Sequence, residues 1–213
     1  MNSGEKRKPL RQIAYEYIKE KIVSGEWPGG RFISERELQA ELGMSKTPIR
    51  SALDRLESTG LVVLHPNQGA EIAELAPRTI FEIYELRKAL ETYAAREIAG
   101  KMDARFFRGM DDILERQKRA VDRTDIAEYV RQDRAFHAQI VAGLGNREYL
   151  EANERIQDRF ILAVRATFYK NEGRLYSSFA EHVQIRRALE GDDPEHAVRL
   201  LAKHIDHVAQ VLL

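Results

Sequence analysis

Apolar residues recur at helical spacing along nearly the whole chain, and the places where that rhythm breaks divide it into two parts. Leu10, Ile13, Ala14, Tyr17, Ile18 and Ile22 form a first stripe, closed by Gly25 and the loop EWPGG. A short helix then starts at Ser34, whose S-x-x-E spacing to Glu37 is a capping box, and ends at Gly43. Ser45 caps the next helix, with Pro48 inside its first turn, and Ile49, Ala52, Leu53 and Leu56 give that helix one buried face. Two helices joined by so tight a turn read as a helix-turn-helix. Then the period changes. LVVL at Leu61–Leu64 and AEI at Ala70–Ile72 read as strands joined by HPNQG, a candidate wing.

Beyond Glu74–Pro77 the helical rhythm returns and no strand candidate interrupts it. Six stretches are predicted, over 77–99, 103–121, 125–143, 147–171, 174–190 and 194–212, punctuated by Gly100, Gly143, Gly145, Gly173 and Gly191. The expected fold is therefore mainly α: an N-terminal winged helix-turn-helix followed by an all-α bundle. Its parts are a basic tail over 1–9, the winged domain over 10–73, a linker over 74–77 and the bundle over 78–213.

Bulk charge adds nothing to this, because Lys plus Arg and Asp plus Glu each number 34. Local arrangement does. Lys46, Thr47 and Arg50 crowd the exposed start of the second helix of the motif without a nearby acid, as phosphate and base-edge contacts in a major groove require. Lys6, Arg7, Lys8 and Arg11 make a second basic cluster, of the kind that touches phosphate. The chain has no cysteine, which excludes disulfides, Cys-based zinc sites and cysteine nucleophiles. Its longest apolar runs are about five residues, too short to span a bilayer. A cytoplasmic protein with no membrane partner is expected.

Candidate chemistry lies on the bundle's buried faces. In the third stretch Asp133 and His137 fall among Ile126, Tyr129, Val130, Ile140, Val141 and Leu144. His182 sits between Leu175, Phe179 and Leu189, and His204 among Ala197, Leu200, Leu201, Val208 and Val211. Each histidine by itself fits a core residue satisfied by one hydrogen bond. Together, one carboxylate and three imidazoles suit Zn²⁺, Ni²⁺, Mn²⁺ or Fe²⁺ with positions left open. His196 and His207 project to the surface or the stripe's edge. Arg87 and Glu91 interrupt the apolar face of the first stretch, either as a buried i, i+4 ion pair or with Arg87 forking onto a carboxylate ligand. Arg186, Asn153 and Gln157 are weaker pocket candidates, the last two fitting a plain core role.

The run SERELQAELGMSKTPIRSALDRLESTGLV, within residues 10–73, resembles the winged helix-turn-helix domain of the GntR family of bacterial transcription regulators. That resemblance implies DNA contacts by Arg36, Lys46, Thr47 and Arg50, with Gly69 at the wing tip. Two positions depart from the family pattern: Lys46 stands where arginine is common, and Gln68 where many members carry a basic wing residue. DRAFH at Asp133–His137, EHVQIRRALEGD around His182 and AKHIDH around His204 resemble the FCD effector domain of the FadR subfamily, in its six-helix, VanR-like form. The resemblance implies a divalent metal on Asp133, His137, His182 and His204, and a small organic acid as effector at Arg87. A homodimer reading a palindromic double-stranded operator follows from two-fold symmetry. Two other readings differ in class: a metal-dependent hydrolase with Glu91 as base, and a metal-free sensor of an apolar ligand, in which the histidine set would be expected to break down.

Overall fold

The computed structural model describes residues 8–170 and 173–212, which form two compact units dividing between Glu74 and Leu75. Lys6 and Arg7 of the basic tail, and the side chains of Val208 and Val211, lie outside the described residues.

The first unit runs α1 (Leu10–Ser24), β1 (Phe32–Ser34), α2 (Glu35–Leu42), α3 (Lys46–Ser58), β2 (Val62–His65) and β3 (Gly69–Ile72). Its core joins Ile18 and Ile22 of α1 to Trp27, Ile33, Leu38 and the predicted face of α3, Ile49, Ala52, Leu53 and Leu56. The buried stripe of α1 is rotated from the expected one. Tyr15 and Val23 are buried while Leu10 and Ile13 face solvent, because α1 packs chiefly on α3 and Arg55 of that helix stacks 3.9 Å from the Tyr15 ring.

Helix α2 begins as its sequence requires, with Ser34 Oγ accepting from the Glu37 amide at 3.1 Å. The reciprocal half of the capping box is missing, since the Glu37 carboxylate accepts from Arg31 instead. Ser45 occupies the N-cap of α3 in an extended conformation but makes no side-chain cap bond. Its hydroxyl therefore leaves the first-turn amides of α3 for another acceptor, the disposition by which a helix N-terminus takes a phosphate.

The sheet has three strands rather than two, in the order β1-β3-β2, all antiparallel. Three residues are too few to display alternation, so β1 is set by its partner: Ile33 pairs with Ala70, and Ser34 with Gly69. This pairing also corrects the expected place of Gly69. The wing tip is Pro66–Gln68, with Asn67 left-handed at φ 59°, and Gly69 is the buried first residue of β3. Its φ of 151° and its approach to β1, where a Cβ would come within 2.1 Å of the Ile33 carbonyl oxygen, leave room for no side chain.

The second unit holds α4 (Pro77–Ile98), α5 (Ala104–Asp122), α6 (Ile126–Ala142), α7 (Arg147–Lys170), α8 (Gly173–Glu190) and α9 (Pro194–Leu212). Side-chain oxygens of Asp103 and Asp125 cap α5 and α6. Helix α4 packs on α6, α7 and α9, α5 on α6 and α8, and α8 on α9. Their facing sides bury Ile83, Tyr84, Ala94, Ala95, Met110, Tyr129, Phe136, Ile140, Leu175, Ile185 and Leu201 around a polar centre. Among the described residues no helix is long and apolar enough to cross a membrane.

Gly69→Ala is expected to destabilise the first unit by roughly 2–4 kcal/mol, the combined cost of overpacking and unfavourable backbone geometry. Denaturant unfolding followed by Trp27 fluorescence measures it, and an unchanged midpoint would contradict the close approach of β1 and β3.

Candidate metal centre and DNA-reading face

Four side chains from three helices converge at the polar centre of the bundle. Asp133 and His137 come from adjacent turns of α6, His182 from α8 and His204 from α9. One ligand atom from each lies within 4.8 Å of the others, and all four residues are buried. Helical spacing explains the first pair, since residues four apart share a face. The other two arrive because α8 packs on α9 with both stripes turned inward.

The hydrogen bonds behind the imidazoles assign their roles. His137 Nδ1 lies 2.6 Å from Glu91 Oε2, His182 Nδ1 2.8 Å from Gln117 Oε1, and His204 Nδ1 2.7 Å from Glu181 Oε2. Gln117 donates its amide to the Gln132 carbonyl, which fixes its oxygen toward His182. Burial raises Glu91 while Arg87 acts to lower it, and as carboxylates Glu91 and Glu181 accept as Gln117 Oε1 does; each Nδ1 then donates, and each neutral ring presents the lone pair of Nε2 to the centre. There His182 Nε2 and His204 Nε2 stand 3.2 Å apart, the Asp133 carboxylate is 3.5 Å from His182 Nε2, and His137 Nε2 is buried without a hydrogen-bond partner.

Lone pairs facing one another in a dry interior repel unless a cation lies between them. The donor set fits a divalent metal, and the Nδ1 acceptors are the partners that metal-bound histidines ordinarily have. Burial, aided by the neighbouring cationic groups, holds His137 and His182 well below the usual imidazole range and lowers His204 too, which disfavours a proton as the bridging cation. Burial raises Asp133 to about 6, leaving it mostly ionised at neutral pH. Glu181 behaves oppositely: burial would push it up, but bonds from His204 and Arg174 hold it down to about 2.

Glu91 links this centre to Arg87. Its Oε1 accepts from Arg87 Nε at 2.7 Å and from Gln157 Nε2 at 3.2 Å, while its Oε2 holds His137. The i, i+4 ion pair weighed as one alternative is therefore present, yet Arg87 Nη2 remains buried and unpartnered. Asn153 Oδ1 and Nδ2, Gln157 Oε1 and Tyr84 Oη are also buried without a protein partner, so the Asn153 amide and the oxygen of Gln157, whose Nε2 bonds Glu91, are not satisfied by the core. Glu91 lies on the Nδ1 side of His137 with both oxygens engaged, which makes it an orienting group and not a base beside the inward-facing Nε2 nitrogens. Arg186 is no pocket residue either: it bonds Asp111 at 2.7 and 2.9 Å and stacks on Phe107. His196 is exposed, and His207, half-exposed, bonds Glu181 at 3.0 Å.

Sequence reasoning missed Gln117, Glu181 and Glu35. Gln117 had a signal, being the polar interruption in the apolar face of α5 between Ile113, Leu114, Ala120 and Val121. Glu181 and Glu35 had none, since His204 reaches Glu181 from α9, and Lys46 and Arg50 reach Glu35 from α3.

In the first unit Arg36, Lys46, Thr47 and Arg50 are all exposed. Lys46 and Arg50 do have an acid beside them, contrary to the sequence reading: Glu35, the first residue of α2, bonds Lys46 Nζ at 2.9 Å and Arg50 Nε at 2.8 Å. These two cations hold Glu35 below the usual carboxylate range against the effect of its burial. Gly69, as described above, is buried in the sheet.

Comparisons with known proteins agree with both units. Residues 10–72 match the family "Bacterial regulatory proteins, gntR family", and residues 82–207 match the FCD domain. The Nta operon transcriptional regulator of Aminobacter aminovorans is 30% identical over 89% of this chain and 90% of its own length. The gluconate operon transcriptional repressor of Bacillus licheniformis is 27% identical over 90% of this chain and 80% of its own. In fold, E. coli McbR/YncC superposes with a TM-score of 0.85 at 22% identity, covering 96% of this chain and 97% of that one. The chain belongs to the GntR family of bacterial regulatory proteins, as a transcriptional regulator that pairs a winged helix-turn-helix with an FCD domain.

Proposed function

We propose that the chain is a dimeric operator-binding regulator whose helical unit senses a small organic acid at a divalent metal. The observation that carries this reading is the convergence of three Nε2 lone pairs and one carboxylate, each imidazole fixed from behind by an acceptor. Asp133, His137, His182 and His204 hold the ion. When bound, it supplies a Lewis-acidic charge that attracts a carboxylate.

Arg87 gives the acid its second anchor. Glu91 keeps its guanidinium oriented through Nε, and the unpartnered Nη2 offers a charge-assisted donor. The unpartnered groups of Asn153 and Gln157 suit a ligand with hydroxyl or further carboxylate oxygens better than an apolar one. The gluconate repressor among the relatives points to the same class, a hydroxylated acid. Acid binding changes operator affinity through a coupling free energy between the two units. On DNA, α3 enters the major groove with Lys46, Thr47 and Arg50 foremost, and two heads read two half-sites.

Elemental analysis should find about one divalent metal per chain, and His137→Ala should abolish its retention. Chelation should lower unfolding stability by about 3–4 kcal/mol, the linkage expected when free metal stands several hundredfold above its dissociation constant. Full effector response in metal-free protein would refute the reading. Gln117→Leu, which removes only the acceptor behind His182, should weaken metal binding about 10–100-fold in competition with a chromogenic chelator.

Arg87→Lys keeps a charge beside Glu91 but loses the fork. A thermal-shift screen of metal-loaded protein against small hydroxy acids and dicarboxylates identifies the acid that binds. For that acid the shift should disappear in Arg87→Lys, with acid-free operator binding unchanged. An equal shift in both proteins would remove Arg87 from the site.

A further inference from the structure

Glu35 and Asn67 hold Arg50 from two sides. Glu35 Oε1 accepts from Arg50 Nε at 2.8 Å, and Asn67 Oδ1 at the wing tip accepts from Arg50 Nη2 at 2.7 Å. The second oxygen of Glu35 takes Lys46 Nζ at 2.9 Å. These contacts have unequal exposure. Side chains of Lys46 and Arg50 are 47% exposed, whereas that of Glu35 is 10% exposed and seated at the start of α2.

A buried carboxylate holding one edge of a half-exposed guanidinium restricts a side chain that otherwise loses much rotamer entropy on docking. Five N–H donors are available to an arginine; the two bonds engage Nε and Nη2 and leave both Nη1 donors uncommitted. The remaining edge, Nη1 with the second hydrogen of Nη2, is a fork of the shape that guanine O6 and N7 accept. Asn67 adds a register constraint, since its left-handed φ of 59° carries the wing tip to the guanidinium.

We infer that Glu35 is a specificity-determining positioning residue, which with Asn67 aims Arg50 at base edges and spaces it from Lys46. The inference rests on α3 being the recognition helix. Glu35 carries a negative charge close to where DNA phosphates would lie, so its presence opposes nonspecific attraction. Its removal should therefore affect the two kinds of binding in opposite directions. Loss of aim lowers affinity for the cognate duplex, while loss of the charge leaves unrelated DNA bound equally or more tightly.

The test uses the full-length chain and two probes: the duplex it enriches from a randomised pool, and a scrambled duplex of equal length. Glu35→Gln should lower the cognate-to-scrambled affinity ratio about tenfold, with scrambled-duplex affinity unchanged or higher and an unchanged melting temperature. Glu35→Asp, which keeps the charge on a shorter arm, should recover part of the ratio. Asn67→Gly, which preserves the left-handed turn but removes the amide, should lower the ratio by a smaller factor. If Arg50→Ala weakens cognate binding while Glu35→Gln leaves the ratio intact, the positioning role is wrong and the recognition helix stands. If Arg50→Ala changes nothing, the recognition-helix reading itself fails. A parallel fall in both affinities together with a lowered melting temperature would mark Glu35 as merely structural and overturn the inference.

Discussion

Glu91 has no exposure to solvent, and a carboxylate in the middle of a helical bundle is tolerated only when its charge and its lone pairs are answered. Arg87 answers the charge one helical turn away, and His137 and Gln157 take the remaining acceptor capacity. Because His137 must donate Nδ1–H to Glu91, its Nε2 can only be an acceptor. One buried acid therefore sets the tautomer of a ligand and the pose of an arginine together. Removing either partner would leave an uncompensated buried charge at a cost of about 3–5 kcal/mol, whereas replacing both with apolar side chains is often neutral. Stability alone gives no reason to keep the pair; orientation does.

The same logic repeats around the centre with different chemistry. Gln117 uses a neutral amide to orient His182, and its own orientation is fixed by the Gln132 carbonyl on α6. Glu181 uses a carboxylate held ionised by Arg174 and His204. Three helices thus present candidate ligands, and residues from α4, α5 and α8 stand behind them. In the first unit Glu35 plays the corresponding part for cations, facing outward: a buried acid, fixed at a helix start, that limits where Lys46 and Arg50 reach.

How much of this was legible follows from where the information lies. Asp133, His137, His182 and His204 were legible because each interrupts an apolar stripe on its own helix, and projection at 3.6 residues per turn needs no tertiary knowledge. Gln117 interrupts α5 in the same way and was legible on the same criterion. Glu181 was not, because it lies off the buried stripe and meets His204 only through the packing of α8 on α9. Strand β1 is three residues long and exists by pairing with β3, so no local pattern announced it. Gly69 was legible as a glycine that matters, but its reason, the Ile33 carbonyl beside it, belongs to that same unseen strand. In α1 the sequence shows the stripe but not its rotation, since an amphipathic helix with aromatic residues on two sides leaves the buried side to its neighbour.

The polar side chains around the four candidate ligands also bear on whether the centre is structural or sensory. Three imidazoles and one carboxylate can close a tetrahedral ion completely, which would give a structural site with nothing to report. An ion that prefers six ligands keeps two positions for other oxygens. The surroundings favour the open arrangement. A structural site gains most from an apolar wall, yet here Arg87 Nη2, Asn153 and Gln157 Oε1 are buried without a protein hydrogen-bond partner. Each such group costs about 1–3 kcal/mol while unpaired. Under the proposed reading, these groups are the ones a hydroxylated acid would pair with and an apolar molecule would not. The polar centre thereby ties ligand recognition to the stability of the helices that supply it, the linkage a regulatory domain requires.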